Sequence, residues 1–180
     1  MKTRLLIFVI VIASCFFKTA TAQTVTSVAG LDFGTEYNKA KSYLTNHFGF
    51  NNYERTGDYL LTFRDVMVGG FAYETAEFYF KNSNFVAVRL YSAFPLSKLN
   101  DAKSFRDRII ARYKDKYWHN EPYTSDGFQC YAFGSSPNYY AYYPIYVKLF
   151  KATENNSGKM MYVVECDYYI HSITENNDDI

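Results

Sequence analysis

The sequence predicts an α+β fold, a meandering antiparallel sheet with two helices on one face. Three observations carry this. Apolar residues recur at helical spacing in two segments, after Thr35 and after Ser97. Each segment is followed by several strand-length runs in which apolar and polar residues alternate. Aromatic content is high and one-sided, with 19 Tyr and 16 Phe against one Trp, and the tyrosines concentrate in those runs, where a half-buried pleated surface suits them.

The first helix opens at Thr35-Glu36, after Gly34, where a hydroxyl caps free backbone N–H groups and a carboxylate sits beside the positive end of the dipole. Tyr37, Ala40, Leu44 and Phe48 form its apolar stripe, and Gly49 offers a left-handed stop. Strands are expected over 59–66, 71–80 and 85–91, with Gly69-Gly70 as a turn. Alternation puts Ala76, Phe78 and Phe80 on one face, and Val86, Val88 and Leu90 on one face of the next strand. Bringing both sets to the same side requires an odd loop, Asn82-Ser83-Asn84. Lys81 then faces Phe85, Phe80 faces Val86, Phe78 faces Val88 and Ala76 faces Leu90. On the other face Glu77 falls directly across from Arg89, an ion pair that the register was not built to produce.

A second helix is expected with Ser97 as its cap after Pro95, and with Leu99, Ala102, Phe105, Ile109, Tyr113 and Tyr117 as its stripe. Strands are expected again over 128–133, 139–151 and 159–170, and the acidic end from 173 reads as a frayed tail. The pattern is helix and three strands, twice, over 31–94 and 95–172. Phe78-Tyr79-Phe80-Lys81 and Lys148-Leu149-Phe150-Lys151 stand in the same place before the final hairpin of each half, as a tandem duplication would have it.

Residues 1–22 read as a signal peptide: Lys2 and Arg4 precede a short apolar run, and Ala20-Thr21-Ala22 supplies a cleavage site before Gln23. The run is shorter than the roughly 20 residues of a membrane span. Ile12-Ala13-Ser14-Cys15 also resembles a lipobox, so lipid anchoring at Cys15 stands as the alternative to release into the periplasm or medium. Cleavage after Ala22 leaves 158 of the 180 residues, a single domain over 23–172 with its tail. With Lys2, Arg4 and Lys18 removed, 16 basic residues face 18 acidic ones, a net charge of −2. That balance argues against nucleic acid, whose backbone is gripped by clustered Lys and Arg.

Cys130 and Cys166 remain. In a simple meander they flank the middle strand of the second half, about 10 Å apart, beyond disulfide reach, and free thiols are expected; a different strand order would allow a disulfide instead. Cys166 shares parity with Met160, Tyr162, Val164 and Ile170 and should be buried.

Phe33-Gly34 opening a helix that ends in Phe48-Gly49, together with the cleavage signature at Ala22-Gln23, resembles a group of small secreted bacterial domains of unknown function. The repeated order of helix and strands is similar to the beta-lactamase-inhibitor-protein-like fold, which presents an exposed sheet face to a partner protein. The resemblance implies layout and carries over no functional residue.

Hydrolase, phosphate-binding and zinc-protease motifs are absent, and His47, His119 and His171 lack a second ligand at metal spacing. No cofactor or metal is expected. Glu165 and Asp167 share a face of the last strand, where a carboxylate pair can serve as acid and base; the alternative is a solvent-facing pair with Lys148 diagonally across the hairpin. The aromatic stretch 138–146 reads either as an edge strand or bulge around Pro144 or as a platform for a sugar or peptide. The helix-free face is the main candidate. It should present Tyr73, Glu77, Tyr79, Arg89 and Tyr91 from the first half and Tyr146, Lys148, Met161, Glu165 and Tyr169 from the second. Tyr, Arg and Met with scattered charge are types enriched at protein interfaces. The expectation is therefore an exported, non-catalytic module that binds a protein or peptide; the alternatives are a carbohydrate-binding accessory domain and a hydrolase.

Overall fold

The computed structural model describes residues 25–50, 53–55, 59–135, 143–154 and 157–170. A two-stranded hairpin, β1 (Ser27–Val28) and β2 (Leu31–Asp32), leads into α1 (Tyr37–Phe48). The helix is capped by Glu36, whose carboxylate accepts from the backbone N–H groups of Asn38 and Lys39. Thr35, the expected cap, turns back and donates to the Asp32 carbonyl at 2.7 Å. Ala40 and Leu44 are fully buried, and Gly49 ends the helix at φ 90°.

The second helix, α2 (Leu99–Lys116), begins later than Ser97 would have it. Residues Leu96–Lys98 form a 3-10 turn, and α2 starts with no side-chain cap. Its predicted stripe is inward, with Ala102, Phe105, Ile109, Tyr113 and Tyr117 all buried. Arg106 is buried as well, its guanidinium donating to the Gln129 carbonyl at 3.0 Å and pairing with Asp107.

Eight strands form one antiparallel sheet: β3 (Tyr53–Arg55), β4 (Leu60–Val68), β5 (Phe71–Lys81), β6 (Asn84–Pro95), β7 (Asn120–Ser125), β8 (Phe128–Phe133), β9 (Ile145–Thr153) and β10 (Met160–Tyr169). Their order is β3-β4-β5-β6-β10-β9-β8-β7. Each half is therefore a helix and a four-stranded meander, and the halves meet where β6 pairs with β10. Sequence alone predicts three strands per half. It misses the two edges, β3 because it is three residues long and β7 because its Asn-Glu-Pro-Tyr-Thr-Ser carries no apolar alternation. Short strands and a proline are common at sheet edges, where they discourage pairing with other chains.

Both helices pack on one face. Leu61, Phe63, Phe78, Val88, Leu90, Val147, Leu149 and Val164 point at them and are fully buried. At about 1.5–3 kcal/mol per buried side chain of this kind, this layer holds helices and sheet together. Cys166 lies in the same layer and Cys130 is the register partner of Tyr123, two strands away and turned to the other face. Both thiols are buried and free, and burial pushes Cys166 up to about 12.

Two irregularities change the expected parities. Lys81 pairs with Asn84, so the β5–β6 loop is the two residues Asn82 and Ser83, at φ 51° and 63°. Phe80 faces Phe85, and the extra residue sits in the strand as a bulge at Val86, between the pairs Tyr79–Ala87 and Phe80–Phe85. Beyond it Phe78–Val88, Glu77–Arg89 and Ala76–Leu90 stand as predicted. The second irregularity is a matched kink across β4 and β5. Asp65 takes φ 50°, Arg64 and Asp65 both point outward between the inward Phe63 and Val66, and Glu74 and Thr75 stand between the inward Tyr73 and Ala76. The segments Phe78–Lys81 and Lys148–Lys151 do lie in the penultimate strands of their halves, but Phe78 and Phe80 face the helices while Lys148 and Phe150 face away. The short identity is not a structural correspondence.

A left-handed Ser83 strains a turn whose second position favours glycine. Relief of that strain, roughly 1–2 kcal/mol, exceeds the added unfolded-state entropy of glycine, about 0.5–1 kcal/mol. Ser83→Gly is expected to stabilise the protein by about 0.5–1 kcal/mol, read as a higher urea midpoint with an unchanged slope.

Candidate functional site

On β10 the residues Val164, Cys166 and Tyr168 take the helix side, so Glu165, Asp167 and Tyr169 are turned to the opposite face. The strand register then lays out two rows across the middle of the sheet. One runs Glu77, Arg89, Asp167, Tyr146; the next runs Thr75, Tyr91, Glu165, Lys148. Three carboxylates and two cations come together. Arg89 Nε lies 3.2 Å from Glu165 Oε2 and 3.3 Å from Asp167 Oδ1, and its Nη1 is 3.9 Å from Glu77 Oε2. Lys148 Nζ is 3.0 Å from Glu165 Oε1 and 2.5 Å from Asp167 Oδ2.

Phenols surround this network. Tyr79 OH donates to Glu77 Oε2 at 2.5 Å and accepts from Arg89 Nη1 at 3.3 Å, while Tyr91 OH reaches Glu77 Oε1 at 3.4 Å. The Arg89 guanidinium lies over the Tyr79 ring and the Lys148 ammonium over the Tyr146 ring, 5.7 and 6.0 Å from the centroids. Tyr146 in turn packs against Tyr169 and Tyr123. The result is that Asp167 is fully buried and Glu165 nearly so, on a face that no described helix covers.

Eight of the nine predicted interface residues, together with Met161, are thus placed on this face. Tyr73 is the correction. The kink at Asp65 and Glu74 reverses its parity, and its ring is buried on the helix side, edge-on to Phe105 at 5.7 Å. The carboxylate pair is also corrected. It is not solvent-facing, and Lys148 stands directly across from Glu165, with Asp167 on the diagonal. Sequence reasoning missed Asp167 as a member of this surface, although its parity with Glu165 was there to read. It also missed Tyr123, because β7 itself was missed.

The two carboxyls titrate in opposite directions. Burial, then the neighbouring Asp167, pushes Glu165 up to about 7. Burial alone would raise Asp167 too, but the hydrogen bond from Glu165 and the charge of Lys148 hold it below its ordinary value. Below about pH 7 the proton of the pair therefore rests on Glu165. Burial and nearby carboxylates raise Tyr79, Tyr91 and Tyr169, so these phenols stay protonated donors.

Elsewhere, the strand expected over 139–151 begins at Ile145, just after Pro144, and residues 136–142 lie outside the described set. Tyr143 stacks on His119 at 4.9 Å and donates to Glu121 at 2.7 Å. Among the described residues no group of three or more His, Cys, Asp and Glu is arranged to hold a metal ion, and no helix is long and apolar enough to cross a membrane. His171, Cys15 and the expected cleavage site lie outside the described residues. The chain matches no protein-family model, no curated protein and no solved structure.

Between the ordinary carboxylate value of 4.5 and about 7, the folded chain holds a proton on Glu165 that the unfolded chain has lost. Stability from this group must fall as pH rises through that window. Asp167 acts in the opposite sense, its contribution disappearing as pH falls below 3.8 through its lowered folded value. The urea midpoint is expected to decline from pH 5 to pH 8 in the wild type, and Glu165→Gln, which keeps the shape of the side chain and removes its titrating carboxyl, should flatten that decline.

Proposed function

We propose that the protein is an exported, non-catalytic binding module that engages a protein or peptide through the helix-free face of its sheet. The observation that carries this reading is the network of Glu77, Arg89, Lys148, Glu165 and Asp167 at the centre of that face, fixed by ion pairs and fenced by half-buried tyrosines. Tyr and Arg are the side chains that most often dominate interface energies, and here hydrogen bonds hold them in place before any partner arrives. The part of a partner's binding energy spent on ordering side chains is correspondingly small.

The same contacts weigh against a hydrolase built on Glu165 and Asp167. Both carboxyls are engaged by Arg89 and Lys148, whereas a general acid or base needs a free path to substrate. Cleavage after Ala22 and export complete the proposal, with lipidation at Cys15 as the alternative fate.

Arg89→Ala is a poor probe, because it strips Asp167 of a buried partner and threatens the fold. Tyr91 is the better choice, half-buried and linked to the network through a long hydrogen bond to Glu77. Selection from a displayed peptide library should yield binders to the wild type, and Tyr91→Ala should weaken them by about tenfold or more, at least ~1.4 kcal/mol, while leaving the circular dichroism spectrum unchanged. Binders indifferent to Tyr91→Ala would place the working surface elsewhere.

A further inference from the structure

The connected network holds three carboxylates, Glu77, Glu165 and Asp167, against two cations, Arg89 and Lys148. One negative charge has no fixed counter-charge inside it. A proton on Glu165, whose carboxyl is raised by burial and by the neighbouring Asp167, is one way to remove that surplus. A cation from outside is the other.

Access decides where such a cation would dock. Asp167 is closed off and Glu165 is nearly so, with side-chain exposures of 0% and 9%, whereas the Glu77 side chain is 19% exposed. Glu77 accepts from two phenols, Tyr79 and Tyr91, and its pairing with Arg89 is the longest in the network at 3.9 Å. It is the outermost of the three carboxylates, flanked by the hydroxyls of Tyr79 and Tyr91, and the Tyr79 ring already shows the affinity of this corner for a cation by carrying the Arg89 guanidinium. We propose that the helix-free face recognises a lysine or arginine side chain of its partner, seated at Glu77 between Tyr79 and Tyr91, and that this cation replaces a proton of the network. The inference rests on the binding role proposed above and names the chemistry of the partner.

The communication runs through Arg89, which touches all three carboxylates. With Glu77 neutralised by the partner, the guanidinium is left to Glu165 and Asp167, and ionised Glu165 becomes tolerable. Every charged or titratable group around Glu165 is consistent with this. Asp167 on β10 disfavours its ionisation, and Lys148 on β9 and Arg89 on β6 favour it. Tyr79 on β5, Tyr91 on β6 and Tyr123 on β7 stay neutral phenols, the Tyr146 ring on β9 lies beneath the Lys148 ammonium, and Cys130 on β8 is buried. Arg64 on β4 donates to Thr75 Oγ1 at 2.9 Å, and its charge acts on Tyr91. Glu165 is pushed up to about 7, so proton and partner compete across neutral pH.

The test uses the full mature chain and a fluorescent tetra-arginine peptide, with tetra-glutamate as control, measured by anisotropy at pH 6 and pH 8 and constant ionic strength. The cationic peptide should bind about tenfold more tightly at pH 8, the factor that a one-unit displacement below the titration point of Glu165 produces. Glu165→Gln should remove that pH dependence, and Glu77→Gln should weaken binding about tenfold at pH 8. Wild-type binding that is the same at both pH values, or a Glu77→Gln variant that binds as the wild type does, overturns the inference. If the peptide library yields only neutral or acidic binders that Tyr91→Ala abolishes, the cation is wrong and the binding face stands. A library with no binders removes both.

Discussion

The pairing of β6 with β10 is the constraint on which the rest of the structure depends. Each half of the chain closes on its own last strand, and among the described residues the one strand pairing between them in the sheet is this one. Its register sets Arg89 opposite Asp167 and Tyr91 opposite Glu165 on one face, and Leu90 opposite Cys166 and Val88 opposite Tyr168 on the other. A slip of one residue would turn Asp167 and Glu165 into the layer beneath α2, out of reach of Arg89 across the seam. Burying an unpaired charge there costs several kcal/mol. A buried ion network is weak evidence for stability in itself, but on a seam between two similar meanders it has a clear physical use: it penalises every register except the observed one.

That seam also shows why some of the molecule was legible in the sequence and some was not. Alternation within a strand is local, so the inward faces of β5, β6, β9 and β10 could be read directly, and Glu77 opposite Arg89 followed from hairpin arithmetic. The arithmetic survived an error in the loop because the extra residue was only moved, from the turn to a bulge at Val86. Tyr73 failed for the complementary reason. The kink that reverses its parity needs Asp65 in a left-handed conformation on the neighbouring strand, and a single strand read alone carries no sign of it.

Strand order was the larger gap. Glu165, Asp167 and Lys148 could be assigned to one hairpin, and Glu77 and Arg89 to another, but nothing in either hairpin says that the two are adjacent. Without that adjacency Glu165 and Asp167 read as an exposed pair. With it they gain Arg89 from across the seam and the tyrosines of both halves, and they become the most buried carboxylates of the described chain. Burial of a charge is thus a property of the assembled sheet, and a pattern of residue types along one strand cannot report it.

The two faces of the sheet solve the same problem with different chemistry. Toward the helices, Phe, Val and Leu exclude water by volume, and the Tyr113 and Tyr168 hydroxyls find each other. Away from the helices there is no second layer of helix or strand in the described structure, so the cover must come from the residues themselves. Long, amphipathic side chains can do this: the rings of Tyr79, Tyr146 and Tyr169 lie along the sheet while their hydroxyls and the charged ends of Arg89 and Lys148 satisfy one another. Tyrosine has few rotatable bonds, and each ring here is held by at least one polar or aromatic contact. A surface built this way is dry at its centre, polar at its rim and already ordered, which is also what an interface becomes after a partner has bound. The residues that stand in for a missing layer are therefore the ones best prepared to receive another molecule as that layer.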